Sequence, residues 1–512
     1  MQLSNLSHRR LSFLFLSFWL IVSLGFMMPP ALKGQQGRAA EVSGQLDSIF
    51  SDVAFARGWW AVKVKSMTTG EVLYERNPYR YVMPASNMKL PTALAAMQRL
   101  GLDFSYTTVL ARQGQIEDGT LQGDLVVVGG GDPTLGARLT SPEVEELTQG
   151  DPLSVFRQWA VQLKEQGIYR VSGDLVGDVG IFDSVPLGEG WSWDDVAYGY
   201  SAAISGLQFN ENVVMLRIEP ALEPGQPVRI RMLPQTGYIK VVNQVTTVPV
   251  DGDFRLSLRH SPESRQVVVS GELPVDSSGF WRSVAVFDPA EYFLAVLRET
   301  LSGEGIEVEG EIRLHEKEEP LQGLTRIASH DSPKLDWILN VFLKISQNLY
   351  GETLVKTLDR SPRLKRYEDG REEVESTLTS AGIPPDSYIL RDGSGLSRYN
   401  FLSADMLIRL LEAVHRHPQR EAFVSFLPVS GESGTISRRM KGTAAEGRVQ
   451  AKTGTLANVR ALSGFITTQG GEVLAFSMIA NNFAQPMRSA EYLQDAALAY
   501  LATLDGPSGA PR

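Results

Sequence analysis

The chain of 512 residues contains no cysteine. That excludes disulfides, thiolate zinc sites, a cysteine nucleophile and a lipid-bearing N-terminal cysteine. It also lacks an excess of positive charge. Lysines and arginines number 49 against 59 acids, a net charge of -10, so no general attraction to nucleic acid or to an anionic membrane surface is expected. An anionic substrate must be caught by local cations. Histidine is scarce. The six, His8, His260, His315, His330, His415 and His417, have no metal-site spacing. Neither a metal, another cofactor nor a Ser-His-Asp triad is therefore expected. Long apolar runs are few as well. One alone, Leu11 to Met28, follows His8-Arg9-Arg10 and precedes Pro29-Pro30. A charged start before an apolar stretch reads as an export signal. The run is about long enough to span a bilayer, and no small-x-small cleavage site follows it. A cleaved leader and an uncleaved anchor both stay open. In either case the bulk of the protein is exported, to the periplasm, with no other membrane attachment.

What is present centres on Met83-Pro84-Ala85-Ser86-Asn87-Met88-Lys89-Leu90. The stretch reads as a turn breaking into a helix, with Ser86 on the first turn. Lys89 is three residues on, so both share one helix face. A serine hydroxyl is a weak nucleophile until a base takes its proton. A lysine that is partly desolvated loses its charge and becomes such a base. Pro91 inside the helix predicts a distorted first turn or a kink. A lone Ser-x-x-Lys carries little weight, but two more stretches follow in order. One is Lys344-Ile345-Ser346-Gln347-Asn348-Leu349-Tyr350. The other is Ala451-Lys452-Thr453-Gly454-Thr455, within a strand-like run.

Periodicity places the rest. Residues 29–40, rich in Gly, Pro, Gln and Ala, read as a linker. A helix is expected over Val42 to Phe55. Strands are expected at Trp60 to Lys65 and Val72 to Tyr74, then the Ser86 helix to about Leu100. Gly129-Gly130-Gly131-Asp132-Pro133 lacks the Gly-Lys-Ser/Thr of a phosphate loop and reads as a tight turn. Residues 206–284 are almost purely strand and turn. One long helix, Leu335 to Leu358, is expected to carry Ser346, and further helices near 372–381 and 403–415. Closing strands at Arg460 to Thr467 and Val473 to Ala480 lead to a last helix, Ser489 to Leu504. The early strand pair and the late elements form one α/β unit, residues 41–105 with 325–504, interrupted by an insert. Within the insert, 106–205 with 285–324 make one smaller unit and 206–284 an all-β one. Residues 1–40 are leader or anchor plus linker, and 505–512 a disordered tail.

Ser-x-x-Lys, Ser-Asp-Asn and Lys-Thr-Gly occur together in penicillin-binding proteins and class A β-lactamases. Here Gln347 takes the middle position of the second motif. On Ser86-Asn87-Met88-Lys89, Ser346-Gln347-Asn348 and Lys452-Thr453-Gly454, the chain resembles a class C penicillin-binding protein. More narrowly, it resembles the D-alanyl-D-alanine carboxypeptidase/endopeptidase family, which has a large insert after the Ser-x-x-Lys helix. Gly190-Trp191-Ser192-Trp193-Asp194-Asp195, Asp392-Gly393-Ser394-Gly395-Leu396-Ser397-Arg398 and Ser463-Gly464-Phe465 add to the resemblance. It implies an α/β (α+β) fold: a β-lactamase-like transpeptidase domain, its antiparallel sheet flanked by helices, with two inserted, mainly-β smaller domains.

The resemblance also implies acyl transfer through a serine ester on peptidoglycan peptides, with β-lactams as covalent inhibitors. It makes Ser86 the nucleophile and Lys89 its base. Ser346 relays a proton to the leaving amine, and Asn348 holds the substrate amide. Lys452 and Thr453 take the terminal carboxylate. Gly454 keeps a strand face free of side chain, and the amides of Ser86 and Thr455 form an oxyanion hole. Asp195 and Arg398 approach the substrate side chain, or else form structural ion pairs. Ala457 stands where relatives often carry glutamine. A β-lactamase is the alternative enzyme. Class A enzymes place their second motif much nearer the first, and no deacylating Glu motif is found here. A non-catalytic wall-binding protein is the other alternative, which intact motifs disfavour.

Overall fold

Alternation in the first strand decides how the central sheet is covered. Trp60, Val62 and Val64 point to one side and Ala61 and Lys63 to the other, as a period of two requires. The computed structural model describes residues 30–136, 151–260 and 265–506, with side chains from residue 37 onward. The expected leader or anchor and most of the expected tail lie outside them. Among the described residues, no helix is long and apolar enough to cross a membrane.

The central sheet has five strands in the order Val449–Leu456, Val459–Thr467, Val473–Asn481, Trp59–Ser66, Val72–Arg76. All neighbours are antiparallel. The first two strands of the chain thus join three from its end, as the sequence suggests. Helices Pro30–Phe50 and Met487–Ala502 cover one face. There Val42, Leu46 and Phe50 pack with Trp60, Val62, Leu462, Met478 and Leu498. Fully burying such side chains stabilises the fold by about 1.5–3 kcal/mol each. The other face carries Lys89–Leu100, Leu335–Lys344, Asn348–Leu358 and Ala404–Arg416 around a second core.

The insert has its own apolar core. A seven-stranded sheet is built on Thr107–Glu117, Thr120–Val128 and Thr325–Asp331 with shorter strands, and two three-stranded sheets lie within 213–285. Helices Ser154–Glu165 and Pro289–Gly303 pack against each other and against these strands.

Three local expectations need correction. Residues 30–40 are helical, not a linker. Pro30 sits at the first helical position, where its missing N–H is no loss, and Val42, Leu46 and Phe50 anchor the helix downstream. That helix ends at Phe50, and a short 3₁₀ turn, Val53–Phe55, follows, capped by the Asp52 carboxylate on Ala54 N at 2.8 Å. The third correction is functional. The long helix expected over 335–358 is two helices, broken at Ser346, whose φ is +65°. Gln347 caps the second by accepting from Leu349 N at 3.3 Å.

Candidate active site

Ser86 lies on a 3₁₀ turn, Ala85–Met88, that feeds the helix Lys89–Leu100. This turn is the distortion that Pro91 predicts. Pro91 itself sits in the first helical turn, where amides lack helical partners. Two asparagines fix the turn. Asn481 at the end of a sheet strand accepts from Met83 N at 2.8 Å and donates to Met83 O at 3.2 Å. Asn87 donates to the Lys452 carbonyl at 3.0 Å, tying the Ser-x-x-Lys turn to the Lys-Thr-Gly strand. A Cβ on Gly454 would lie 2.6 Å from the Pro84 carbonyl. Where the sequence suggests a face kept clear for substrate, the structure fills that face with the nucleophile turn. Gly395 plays the same part from the other side. Its φ is +86°, and a Cβ there would meet Ala85 O at 1.9 Å.

The Lys89 ammonium group is fully buried. It donates to Ser86 Oγ at 3.0 Å, Asn348 Oδ1 at 2.6 Å and the Ser394 carbonyl at 2.6 Å. Burial pulls its pKa down to about 7, against the opposing charges of Asp392 and Glu352. The left-handed backbone at Ser346 costs about 1–3 kcal/mol, a kind of strain that clusters at functional sites. The break it makes starts the second helix at Asn348 and leaves Ser346 Oγ to accept from Lys452 Nζ at 2.8 Å. Lys452 is also fully buried and donates to its neighbour's carbonyl, Thr453 O, at 2.9 Å. Burial, reinforced by repulsion from Lys89, holds it well below the usual lysine range. Thr453 Oγ1 shares a 2.8 Å hydrogen bond with Thr435 Oγ1.

A cavity of about 640 Å³ opens over these groups. Ser86, Ser346, Asn348, Thr453, Thr455, Asp195 and Arg398 all reach it. Lys89, Lys452 and Gly454 lie behind that lining. Asp195 accepts from the Tyr200 hydroxyl at 2.6 Å, and Arg398 donates to the Ala457 carbonyl at 3.3 Å. Among the described residues, neither takes part in an ion pair, so both charges are uncommitted at the rim. Asn348 Nδ2 donates to the Tyr200 carbonyl at 2.8 Å, which brings the insert against the second motif.

Four contributors were given no role from the sequence. Glu352 is fully buried and accepts from Gly393 N at 3.1 Å and Ser394 N at 2.8 Å. It thereby holds the peptide whose carbonyl binds Lys89. Burial, together with Asp392, raises its pKa to about 8. Its signal was spacing: it falls four residues after Asn348, on the same helix face. Asp392 accepts from Gly395 N at 2.7 Å, Ser397 N at 2.5 Å, Asn400 Nδ2 at 2.7 Å and Trp191 Nε1 at 3.0 Å. The last bond pins the Trp-rich loop of the insert to the catalytic side. Thr435 and Tyr200 had no sequence signal, each being brought in by a short 3₁₀ turn, Gly434–Ile436 and Gly199–Ser201.

Comparison with known proteins identifies the family and the fold. Residues 42–502 match the model of the family described as D-Ala-D-Ala carboxypeptidase 3 (S13). A D-alanyl-D-alanine carboxypeptidase of Actinomadura sp. (strain R39) is 35% identical over 503 residues, covering 94% of this chain and 89% of that relative. The crystal structure of penicillin binding protein 4 (dacB) from Haemophilus influenzae superposes with a TM-score of 0.77 at 27% identity, covering 90% of this chain and 99% of that one. The same protein complexed with a β-lactam matches at a TM-score of 0.72 and 26% identity, over 89% and 98% of the two chains. The chain belongs to the D-Ala-D-Ala carboxypeptidase 3 (S13) family, and it is a serine-type peptidase of the penicillin-binding class.

Proposed function

We propose that the protein cleaves the bond after a D-alanine in peptidoglycan stem peptides through an acyl-Ser86 intermediate. One observation carries this: the buried Lys89 amine rests 3.0 Å from Ser86 Oγ with its pKa drawn to about 7. A base poised near the working pH is what proton abstraction from a hydroxyl needs. Ser86 Oγ attacks the D-alanine carbonyl while Lys89 accepts its proton. The amides of Ser86 and Thr455 hold the oxyanion. Ser346 passes a proton to the departing amine, which leaves as D-alanine or as the amine of a cross-linked partner. Water then attacks the ester, with the same base assisting. Glu352 acts as a positioning residue, through the Ser394 carbonyl.

In this reading residues 41–105 and 325–504 form the catalytic unit, except that strand Thr325–Asp331 pairs with Thr107–Glu117 and so belongs to the insert's sheet, and 106–205 with 285–324 and 206–284 form the two inserted units. The enzyme works outside the cytoplasm, in the periplasm, and is open to acylation by β-lactams, as supported by the β-lactam complex of the Haemophilus relative. Digesting purified monomeric pentapeptides and cross-linked dimers tests the whole. Release of D-alanine alone marks a carboxypeptidase, conversion of dimers to monomers an endopeptidase, and neither product refutes the reading.

Lys452 and Thr453 would receive the substrate's terminal carboxylate. An incoming anion offsets the burial and the repulsion from Lys89 that together hold Lys452 low. A charge-assisted hydrogen bond contributes about 1.5–3 kcal/mol. Lys452→Ala should therefore slow acylation by wall peptide and penicillin alike, by roughly 10- to 150-fold. Stopped-flow acylation with an ester substrate lacking a free carboxylate is the control. A loss confined to that substrate would contradict the role.

Asp195 would meet the free amine of the diamino residue next to D-alanine in the stem. Asn in its place can still accept from Tyr200 but carries no charge. Asp195→Asn should slow cleavage of amine-bearing peptides up to about fivefold, because a partly exposed pair contributes about 1 kcal/mol or less. It should leave acylation by simple penicillins unchanged. Equal losses on both would mean that Asp195 holds structure instead.

A further inference from the structure

A second cavity, of about 540 Å³, adjoins the catalytic one and shares Asp195 and Tyr200 with it. Its walls come from two parts of the insert. One is the loop carrying Trp193, Asp194 and Tyr198. The other is the strand Arg255–His260, which contributes Ser257, Arg259 and His260. The size suits a bound organic group rather than solvent alone. Three features of the lining suit a bound ring. Trp193 is 86% exposed at the rim, an unusual place for the largest apolar side chain unless a ligand covers it. Tyr198 and Tyr200 lie ring on ring, with centroids 5.4 Å apart and planes 7° from parallel. The Arg259 side chain is exposed, on a strand paired with Gln266–Pro274, and among the described residues it forms no ion pair. Burial lowers the His260 imidazole to about 4, so near neutrality it adds no charge to the lining.

Flat aromatic faces ringed by Asp, Arg, Ser and neutral His are the surface that a sugar ring fits. Its axial C–H groups lie on the rings, and its hydroxyls and amides bond to the polar edge. A strongly charged ligand fits less well, because Asp194 and Asp195 oppose Arg259. A purely apolar ligand would leave those same groups unpaired. Position narrows the choice further. In the proposed reading Asp195 meets the diamino side chain next to D-alanine, and the amino-sugar strand of the wall is the attachment point of that same stem. The second cavity begins at Asp195.

We infer that this cavity is a glycan subsite, which binds the N-acetylated amino sugar carrying the stem peptide. The inference rests on the reading of the substrate as peptidoglycan. It makes the enzyme a reader of sugar-attached peptide in preference to free peptide. Trp193 and Arg259 are solvent-exposed, and truncating them leaves the packing intact. The test compares kcat/KM for a sugar-bearing muropeptide and for the same peptide without its sugar. Wild type should favour the sugar-bearing form by up to about tenfold, the factor an aromatic contact or two supplies. Trp193→Ala and Arg259→Ala should each shrink that preference towards unity while leaving penicillin acylation unchanged. No preference in wild type, or equal losses on both peptides in the variants, would overturn the subsite. A direct arm separates this from failure of the underlying reading. Peptide-free glycan fragments, titrated calorimetrically into the Ser86→Ala protein, should bind and should cease to bind once Trp193→Ala is added. Binding without any peptide cleavage by wild type would sustain the subsite while refuting the substrate assignment. Absence of binding would refute the subsite alone.

Discussion

Ser86→Ala should give a folded protein that forms no covalent adduct with penicillin, read as the absence of an acyl mass shift on the intact chain. The hydroxyl's one hydrogen bond is to Lys89, and a typical hydrogen bond contributes only about 0.5–1.5 kcal/mol to stability. The turn is held by Asn481 and Asn87, not by the serine side chain. Thermal unfolding should therefore barely move. Removing the nucleophile of a serine hydrolase costs on the order of 10⁶ in kcat, so peptide cleavage should fall below detection. The outcome that would sink the assignment is an adduct on another serine. Ser346 is the serine to watch, since it too opens on the cavity and touches a lysine.

The sequence made the chemistry of this site legible but not the shape that delivers it. Ser86, Lys89, Ser346, Asn348 and Lys452 stood out because each motif is short and locally encoded, and their order added information. The strands of the central sheet were legible because, covered on both faces, they are short apolar runs bounded by turn residues. The break at Ser346 was not. No glycine or proline stands within four residues of the break, and the serine at φ +65° is held by its contact with Lys452 and by the Gln347 cap on Leu349 N. Residues 30–40 failed for the opposite reason: Pro and Gly there suggested a linker, yet packing of Val42, Leu46 and Phe50 on the sheet extends a helix back through them. Glu352 was hidden because a buried acid looks like any surface glutamate on a helix. Its meaning comes from Gly393 and Ser394, some forty residues later in the chain.

Lys89 provides the most discriminating test of how Ser86 is activated. Lys89→Met keeps the bulk of the side chain and removes the amine. If the amine is the base, acylation by penicillin and by peptide should drop by about 10²–10⁴, the usual contribution of a general base. The wild-type pH profile supplies an independent check. A lysine abstracts a proton only when neutral. Burial brings its pKa to about 7, against about 10.4 for a free lysine. The neutral fraction, and with it the acylation rate, should rise with pH through about 7 and then level off. The same rise must vanish in Lys89→Met, whose residual rate has no amine to titrate. Methionine leaves Asn348 Oδ1 and the Ser394 carbonyl without their donor, at about 1–3 kcal/mol for each buried group left unsatisfied. Unfolding should accordingly be measured beside the kinetics, so that lost activity in a folded protein is what is scored. A folded Lys89→Met enzyme that acylates at the wild-type rate, or a wild-type profile flat from pH 6 to about 8, would show that another group takes the proton from Ser86.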